Sequence, residues 1–481
     1  MKTSYFPICK RKYIRSISCI GIAIVIFAAC GSPSRLEQAL DFAGENRMEL
    51  EKVLKHYSSN PADSLKYRAA RFLIENMPYH YSFSSKAIDS FVAEVQRYAS
   101  QHEYAVHQHN RHHTTQSFDD TFPAIPSSRH NIVMDSHVIT SAFLIDNIEQ
   151  AFKVWQEQPW ASGISFDDFC EQILPYRVSD EPLQDWRRLY YDYFKPGLDS
   201  ICGNTADLTT AGKAVYDLIY NNRRWIFDNS VTSKYTGAET LFHTRLGDCR
   251  LMANYAVYAF RALGIPCGID MILQNPDMMY KQHYWNYMKD NSGKTIRFEI
   301  HQMAPETDGP MNRKTGKIYR SFFGLHPGLL HEKFHTALPP PLNERLIMDV
   351  TDEYYPGVTL PKDIWKDRKR YLYLGVFNNS AWIPVACIDT KDRKHIFEYM
   401  EPEIAYRPLC YTDGIVRESG FPVILSPGGS IRILEPDTVH RRRLELGRKY
   451  PFPGWYVTEK HRSAGGRFEV ANDSLFRNPT V

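Results

Sequence analysis

Gly247-Asp248-Cys249 opens a helical pattern in which Met252, Ala256, Ala259, Phe260 and Leu263 share one face. Gly264 supplies a C-terminal cap, and Pro266 prevents the helix from continuing. Three strands are expected next, at Cys267–Leu273, His283–Met288 and Thr295–Ile300. Asn275-Pro276-Asp277 and the tight turn Asn291-Ser292-Gly293 separate them. The order is helix, strand, strand, strand, with a cysteine where the helix begins.

The first N–H groups of a helix have no internal acceptors, and the helix dipole places partial positive charge there. A sulfur anion is stabilised at such a place, so Cys249 is expected to have a lowered pKa and to act as a nucleophile. Imidazole is the suited proton partner, and His283 begins a strand that can lie beside the helix start. Glu299, on the next strand, can fix the ring tautomer if the hairpin brings the two side by side. The backbone N–H of Cys249 is the natural oxyanion donor. Trp285 shares a strand face with His283 and either shields the imidazole or serves as core. Cys267 reads as a buried strand residue.

Gly247-x-Cys249-x-x-x-Ala253, Arg261-Ala262-Leu263-Gly264-Ile265-Pro266 and His283-x-Trp285, taken in order, resemble the transglutaminase-like superfamily. The resemblance covers about 60 residues. It implies a papain-like core with Cys249 as nucleophile and His283 as general base and acid. Glu299 stands where the family usually has aspartate, and Tyr284 replaces a small residue. Together with the patterns on either side of it, the expected fold class is α+β, with a helical N-terminal region, a core with an antiparallel sheet, and a C-terminal β-sandwich-like domain. No metal or organic cofactor is implied.

Upstream, Leu36 to Tyr57 repeats at helical spacing, and Asn60-Pro61 predicts a capped second helix striped by Leu65, Ala69, Phe72, Leu73 and Met77. A third helix follows around Ala87–Val95, and another over Val138–Trp155. His102, His107, His109, His112 and His113 read as a solvated loop rather than a metal site, for want of an apolar framework. In the block Phe169–Arg187, Tyr176 and Arg177 are pocket candidates, although a Glu–Arg pair fixing two helices is the simpler reading. Residues 208–226 read as one more helix. From Asp349 short β-type runs take over, at Tyr371–Phe377, Trp382–Ile388, Val423–Leu425 and Ile431–Leu434. Pro339-Pro340-Pro341 reads as a linker. The domains are therefore 30–207 helical, 208–338 core and 345–481 β-sandwich-like, with aromatics of the last read as core rather than glycan contacts.

The N-terminus carries Lys2, Lys10, Arg11, Lys12 and Arg15, then an apolar run from Ile17 to Phe27, then Ala28-Ala29-Cys30-Gly31. This reads as a secretory signal over residues 1–29, and the small residues before Cys30 resemble a bacterial lipobox. The implied protein is lipid-anchored through Cys30 to a bacterial membrane, an outer membrane in the cell envelope, facing periplasm or surface. Net charge is +3, and the signal holds five Lys/Arg and no Asp/Glu, so no basic surplus remains to bind nucleic acid. Six cysteines persist after export (Cys170, Cys202, Cys249, Cys267, Cys387 and Cys410), which an oxidising compartment can pair. A length of 481 residues with 43% hydrophobic content excludes a largely disordered chain and calls for two or three domains. A mean hydropathy of -0.43 excludes a polytopic membrane protein.

The expected activity is a thiol-dependent amide hydrolase, most simply a cysteine peptidase acting on a peptide, protein or glycoprotein. Its rivals are a cross-linking transamidase, a deglycosylating amidase, and a catalytically silent binding protein.

Overall fold

The computed structural model describes residues 33–439, except 109–113, 117–121, 123–124, 127–129, 223–224, 277–281, 301, 306–312, 335–336, 345, 367–368, 379–380, 392–395 and 438. The expected signal, Cys30 and residues 440–481 of the expected C-terminal domain lie outside the described residues. So do the side chains of the histidine-dense stretch. Its first part is not a loop, because the helix Lys86–Gln108 runs through His102 and His107.

Helices Arg35–Phe42, Arg47–Ser58, Ser64–Asn76, Ser141–Glu157 and Phe166–Gln172 bury Leu50, Val53, Leu73, Ile148 and Phe169 in one N-terminal core. Their starts are chemically marked: Ser34, Thr140 and Ser165 hydroxyls accept from N–H groups three residues on, at 3.2, 3.2 and 3.1 Å. Asn60 Oδ1 accepts from the Ala62 N–H at 3.1 Å, capping the 3-10 turn Pro61–Asp63 that leads into Ser64–Asn76.

The helix Cys249–Ala262 lies at the centre of the molecule. Leu251 and every residue from Ala253 to Ala262 are buried, so beyond its half-buried first turn it has no solvent face, whereas the sequence pattern implied one apolar stripe. Tyr190, Phe194 and Leu198 of the helix Arg187–Cys202 cover one side, and Ala211 and Val215 of Leu208–Asn222 belong to the same core. That second helix stops short of the expected residue 226. Trp225–Phe227 is a strand instead, because it pairs in parallel with Leu246–Gly247.

An antiparallel five-stranded sheet backs the central helix. Its order is Ile347–Asp349, Tyr319–Ser321, Cys267–Ile272, His283–Lys289 and Thr295–Phe298. Asn286, buried in the sheet, donates from Nδ2 to the Ala253 carbonyl at 2.9 Å and locks helix to strand. Behind the sheet, Arg320 donates to both oxygens of the fully buried Asp270, at 2.8 and 2.9 Å.

The C-terminal strands are consistent with a sandwich. The larger sheet holds Ala381–Asp389, Tyr371–Asn378, Ala405–Thr412, Val423–Leu425 and Ile431–Ile433 in that order, with Ile415–Glu418 also on Ala405–Thr412. A smaller one pairs Val358–Pro361 with Ile396–Met400. Trp365 ties them, stacking on Phe397 at 5.0 Å and donating its indole N–H to the Tyr373 and Leu409 carbonyls. The proline run is not a free linker: Leu338 and Leu342 beside it are buried, and Tyr373 Oη donates to the Ala337 carbonyl.

Candidate active site

The approach to Cys249 is pinned on several sides. The Gly247 carbonyl accepts from Trp225 Nε1 at 3.0 Å and from the Asp228 N–H at 3.2 Å, and Asp248 N–H donates to the Val231 carbonyl at 3.2 Å. Gly247 has φ +155°, and a Cβ there would lie 2.3 Å from Leu251 Cδ1, so only glycine fits. Asp248 is the N-cap, its Oδ1 accepting from the Leu251 N–H at 2.9 Å. At the far end, Gly264 has φ +75° and caps the helix as expected, where a Cβ would sit 2.9 Å from the Val154 carbonyl oxygen. Cys249 is thereby the first residue of a buried helix, with an N–H that has no intrahelical acceptor.

The structure brings the three expected groups to one place. His283 Nε2 lies 2.9 Å from Glu299 Oε1, and both residues are buried. The backbone N–H of Tyr284, next to His283, donates to the Cys249 sulfur. With Nε2 engaged by Glu299, Nδ1 is the ring nitrogen left for the thiol. Glu299 terminates the third strand in a tight turn, exchanging two 2.9 Å backbone bonds with Met303. Its other oxygen accepts from Arg313 Nη2 at 3.3 Å, and that Nη2 also reaches Gln302 Oε1 at 2.8 Å.

Residues 198–299 match the sequence profile of the transglutaminase-like superfamily, an interval that contains Cys249 and His283 and ends on Glu299. This segment is a transglutaminase-like core. A solved structure from Cytophaga hutchinsonii, described as a candidate cysteine protease, is similar at 23% identity over 24% of this chain, with a TM-score of 0.20. The chain spans 39% of the length of that protein. None of the curated proteins matches.

The electrostatics of the transglutaminase-like core correct one expectation. Burial pushes the Cys249 thiol well above its ordinary value, the Asp248 and Glu299 carboxylates push the same way, and the Tyr284 N–H and Arg313 oppose them. The sulfur is therefore a thiol at rest, not the stabilised anion that its helix position implied. A helix terminus is worth about 0.3–1 kcal/mol to a charge, less than the cost of taking that charge out of water. Burial likewise lifts the Asp248 carboxyl to about 6, against its bonds to the Leu251 and Arg250 N–H groups.

Trp285 is core rather than pocket wall. It is 1% exposed, lies 6.0 Å from the His283 ring at an interplanar angle of 29°, and donates from Nε1 to Tyr354 Oη at 2.9 Å. Tyr354 in turn donates to Asp270 at 2.6 Å, linking the wall behind His283 to the Asp270–Arg320 pair. Tyr176 and Arg177 are not brought to the triad. Both bind the buried Asp135, at 2.9 Å from Tyr176 Oη and 2.7 Å from Arg177 Nη2. The partner of Arg177 is Asp135 rather than the expected glutamate, and Glu181 instead holds the Val178 and Ser179 N–H groups and Tyr258 Oη. The expected disulfides are not formed among Cys170, Cys202, Cys249, Cys267, Cys387 and Cys410.

Arg313 escaped sequence reasoning. The sequence before it shows no periodicity, and nothing in its spacing points to Glu299. The Tyr284 N–H escaped too, since a main-chain donor leaves no mark in residue identity.

Proposed function

We propose that this chain is a thiol-dependent amide hydrolase, a cysteine peptidase held in the bacterial cell envelope by an acylated Cys30. The observation that carries the reading is the His283–Glu299 bond at 2.9 Å, with the Cys249 sulfur held at the adjoining Tyr284 N–H. Glutamate in the usual aspartate place reaches the ring, which supports an active centre over a silent binding protein.

Because the sulfur rests as a thiol, the reaction begins with general-base transfer. The Sγ proton passes to His283 Nδ1 as the sulfur electron pair attacks the amide carbonyl carbon. The Cys249 N–H meets the oxyanion, and Glu299 steadies the imidazolium. The C–N bond breaks as the imidazolium gives its proton to the leaving nitrogen, which departs as an amine. Water, deprotonated by the same imidazole, then attacks the thioester. The C–S bond breaks, releasing a carboxylic acid and regenerating the thiol.

The test is incubation of the purified mature chain with a diverse peptide library and a biotinylated primary amine, read by mass spectrometry. Cleaved products are expected from the wild-type chain and none from C249A or H283A. Amine-linked products exceeding hydrolysis would identify a transamidase. A wild-type chain that leaves every peptide intact and forms no thioester overturns the proposal. Metabolic labelling with an alkynyl fatty acid, lost in C30A, tests the anchor.

A further inference from the structure

Arg313, which touches Glu299 on one side, lines on the other a cavity of about 560 Å³ between the edge strand Thr295–Phe298 and the C-terminal strands. Its side chain is 8% exposed, yet its Nε is buried without a hydrogen-bond partner. That nitrogen is closed to solvent, so Arg313 acts on the cavity through its charge rather than through a donor aimed into it.

The charges around this cavity specify its ligand. Its two carboxylates are already occupied. Glu353 accepts from Arg320 Nη1 at 2.8 Å and Thr295 Oγ1 at 2.5 Å. Glu401 Oε2 accepts from the N–H groups of Thr315 and Gly316 at 2.6 and 2.9 Å, and Lys314 lies 3.7 Å from its Oε1. Arg297 is different. Among the described residues no carboxylate pairs with it, and its guanidinium lies 5.8 Å from the Tyr354 ring centroid. Two arginines thus line the cavity, while its acids are already engaged.

We propose that this cavity is a carboxylate subsite of the active centre, read by Arg297 and Arg313, which selects acidic peptides as substrates. The proposal rests on the amide-hydrolase reading and adds a substrate class to it. Paired N–H donors of a guanidinium fit a carboxylate in plane, as they do not fit the neutral amide of glutamine.

Calorimetric titration of the mature C249A chain, which binds without turnover, tests this directly. The probes are acetyl-Ala-Glu-Ala-Glu-Ala-amide and the same peptide with glutamine at both glutamates. The acidic peptide is expected to bind about tenfold more tightly or better, as charge-assisted bonds outweigh neutral ones. In C249A/R297Q that preference is expected to vanish, and C249A/R297K is expected to retain part of it, with circular dichroism verifying that both fold. Equal affinities, no binding of either peptide, or a preference that R297Q leaves intact overturns the subsite. Since the titration needs no catalysis, a glutamate preference in a chain that cleaves nothing would sink the hydrolase reading and leave the subsite standing.

Discussion

Glu299 Oε1 sits 2.9 Å from His283 Nε2, sixteen residues away in sequence. The hairpin makes this possible: Asn286 pairs with Phe298 and Lys289 with Thr295, so Glu299 emerges beside the start of the His283 strand. The turn is set by Asp290, whose Oδ1 accepts from the Ser292 and Lys294 N–H groups at 2.8 and 2.9 Å, and by Gly293 at φ +82°.

If Glu299 orients the ring and offsets its positive charge, E299Q keeps the shape and loses the charge. A fall in kcat/KM on the order of 10³–10⁴ is expected, the scale seen when a triad carboxylate is made neutral. E299D keeps the charge and loses one methylene of reach, so it is expected to fall between E299Q and wild type. Steady-state kinetics on any cleaved peptide checks both.

The Cys249 thiol, raised by burial and by two carboxylates, is expected to alkylate slowly at neutral pH. Iodoacetamide labelling of the free protein, followed by peptide mass spectrometry, should climb only at alkaline pH. The apparent pKa should lie above the ~8.5 of an ordinary cysteine. Fast labelling near pH 7 would contradict it.

Asp248 ionises at about 6 in the folded chain, above the 3.8 of a free side chain. A raised acid favours the folded state most below the unfolded pKa, and that contribution is lost as pH rises through the folded one. D248N can still cap the helix and carries no such loss. It is expected to be more stable than wild type at pH 8, by at most about 2–3 kcal/mol. The gap should close below about pH 4 in thermal melts. Removing this charge should also lower the alkylation pKa of Cys249.

Truncating Asp270 leaves the buried Arg320 guanidinium with only the part-exposed Glu353 as counter-charge. D270A is expected to cost about 3–5 kcal/mol in denaturant unfolding. It also removes the acceptor of Tyr354, and through it the support behind Trp285.

G247A puts a methyl group into the Leu251 side chain. A loss of about 1–3 kcal/mol is expected from overpacking alone. Activity should drop further than stability does, because the displaced residues carry the nucleophile.

Residues that punctuate the chain were the legible ones. Gly247, Asp248, Gly264 and Pro266 bracket the central helix within a residue of where it lies, since caps and breakers act through local backbone geometry. The short C-terminal strands were legible for the same reason, each ending at a turn. Residues 208–226 were not, because Trp225–Phe227 becomes a strand through partners elsewhere in the chain. The proline run was read as a linker from composition, and what ties it down is the burial of Leu338 and Leu342 and the Tyr373 bond to the Ala337 carbonyl.

By itself the sequence determined which chemical groups are present and the order in which a helix and hairpin deliver them: a cysteine at a capped helix start, then a histidine, then a glutamate. Those are consequences of local propensity and period. Only the tertiary structure decided that the sulfur is a thiol, that Tyr284 holds it by a main-chain N–H, and that Arg313 joins Glu299 to a cavity. Desolvation and charge pairing depend on everything packed around a group, and that surrounding comes from residues far away along the chain.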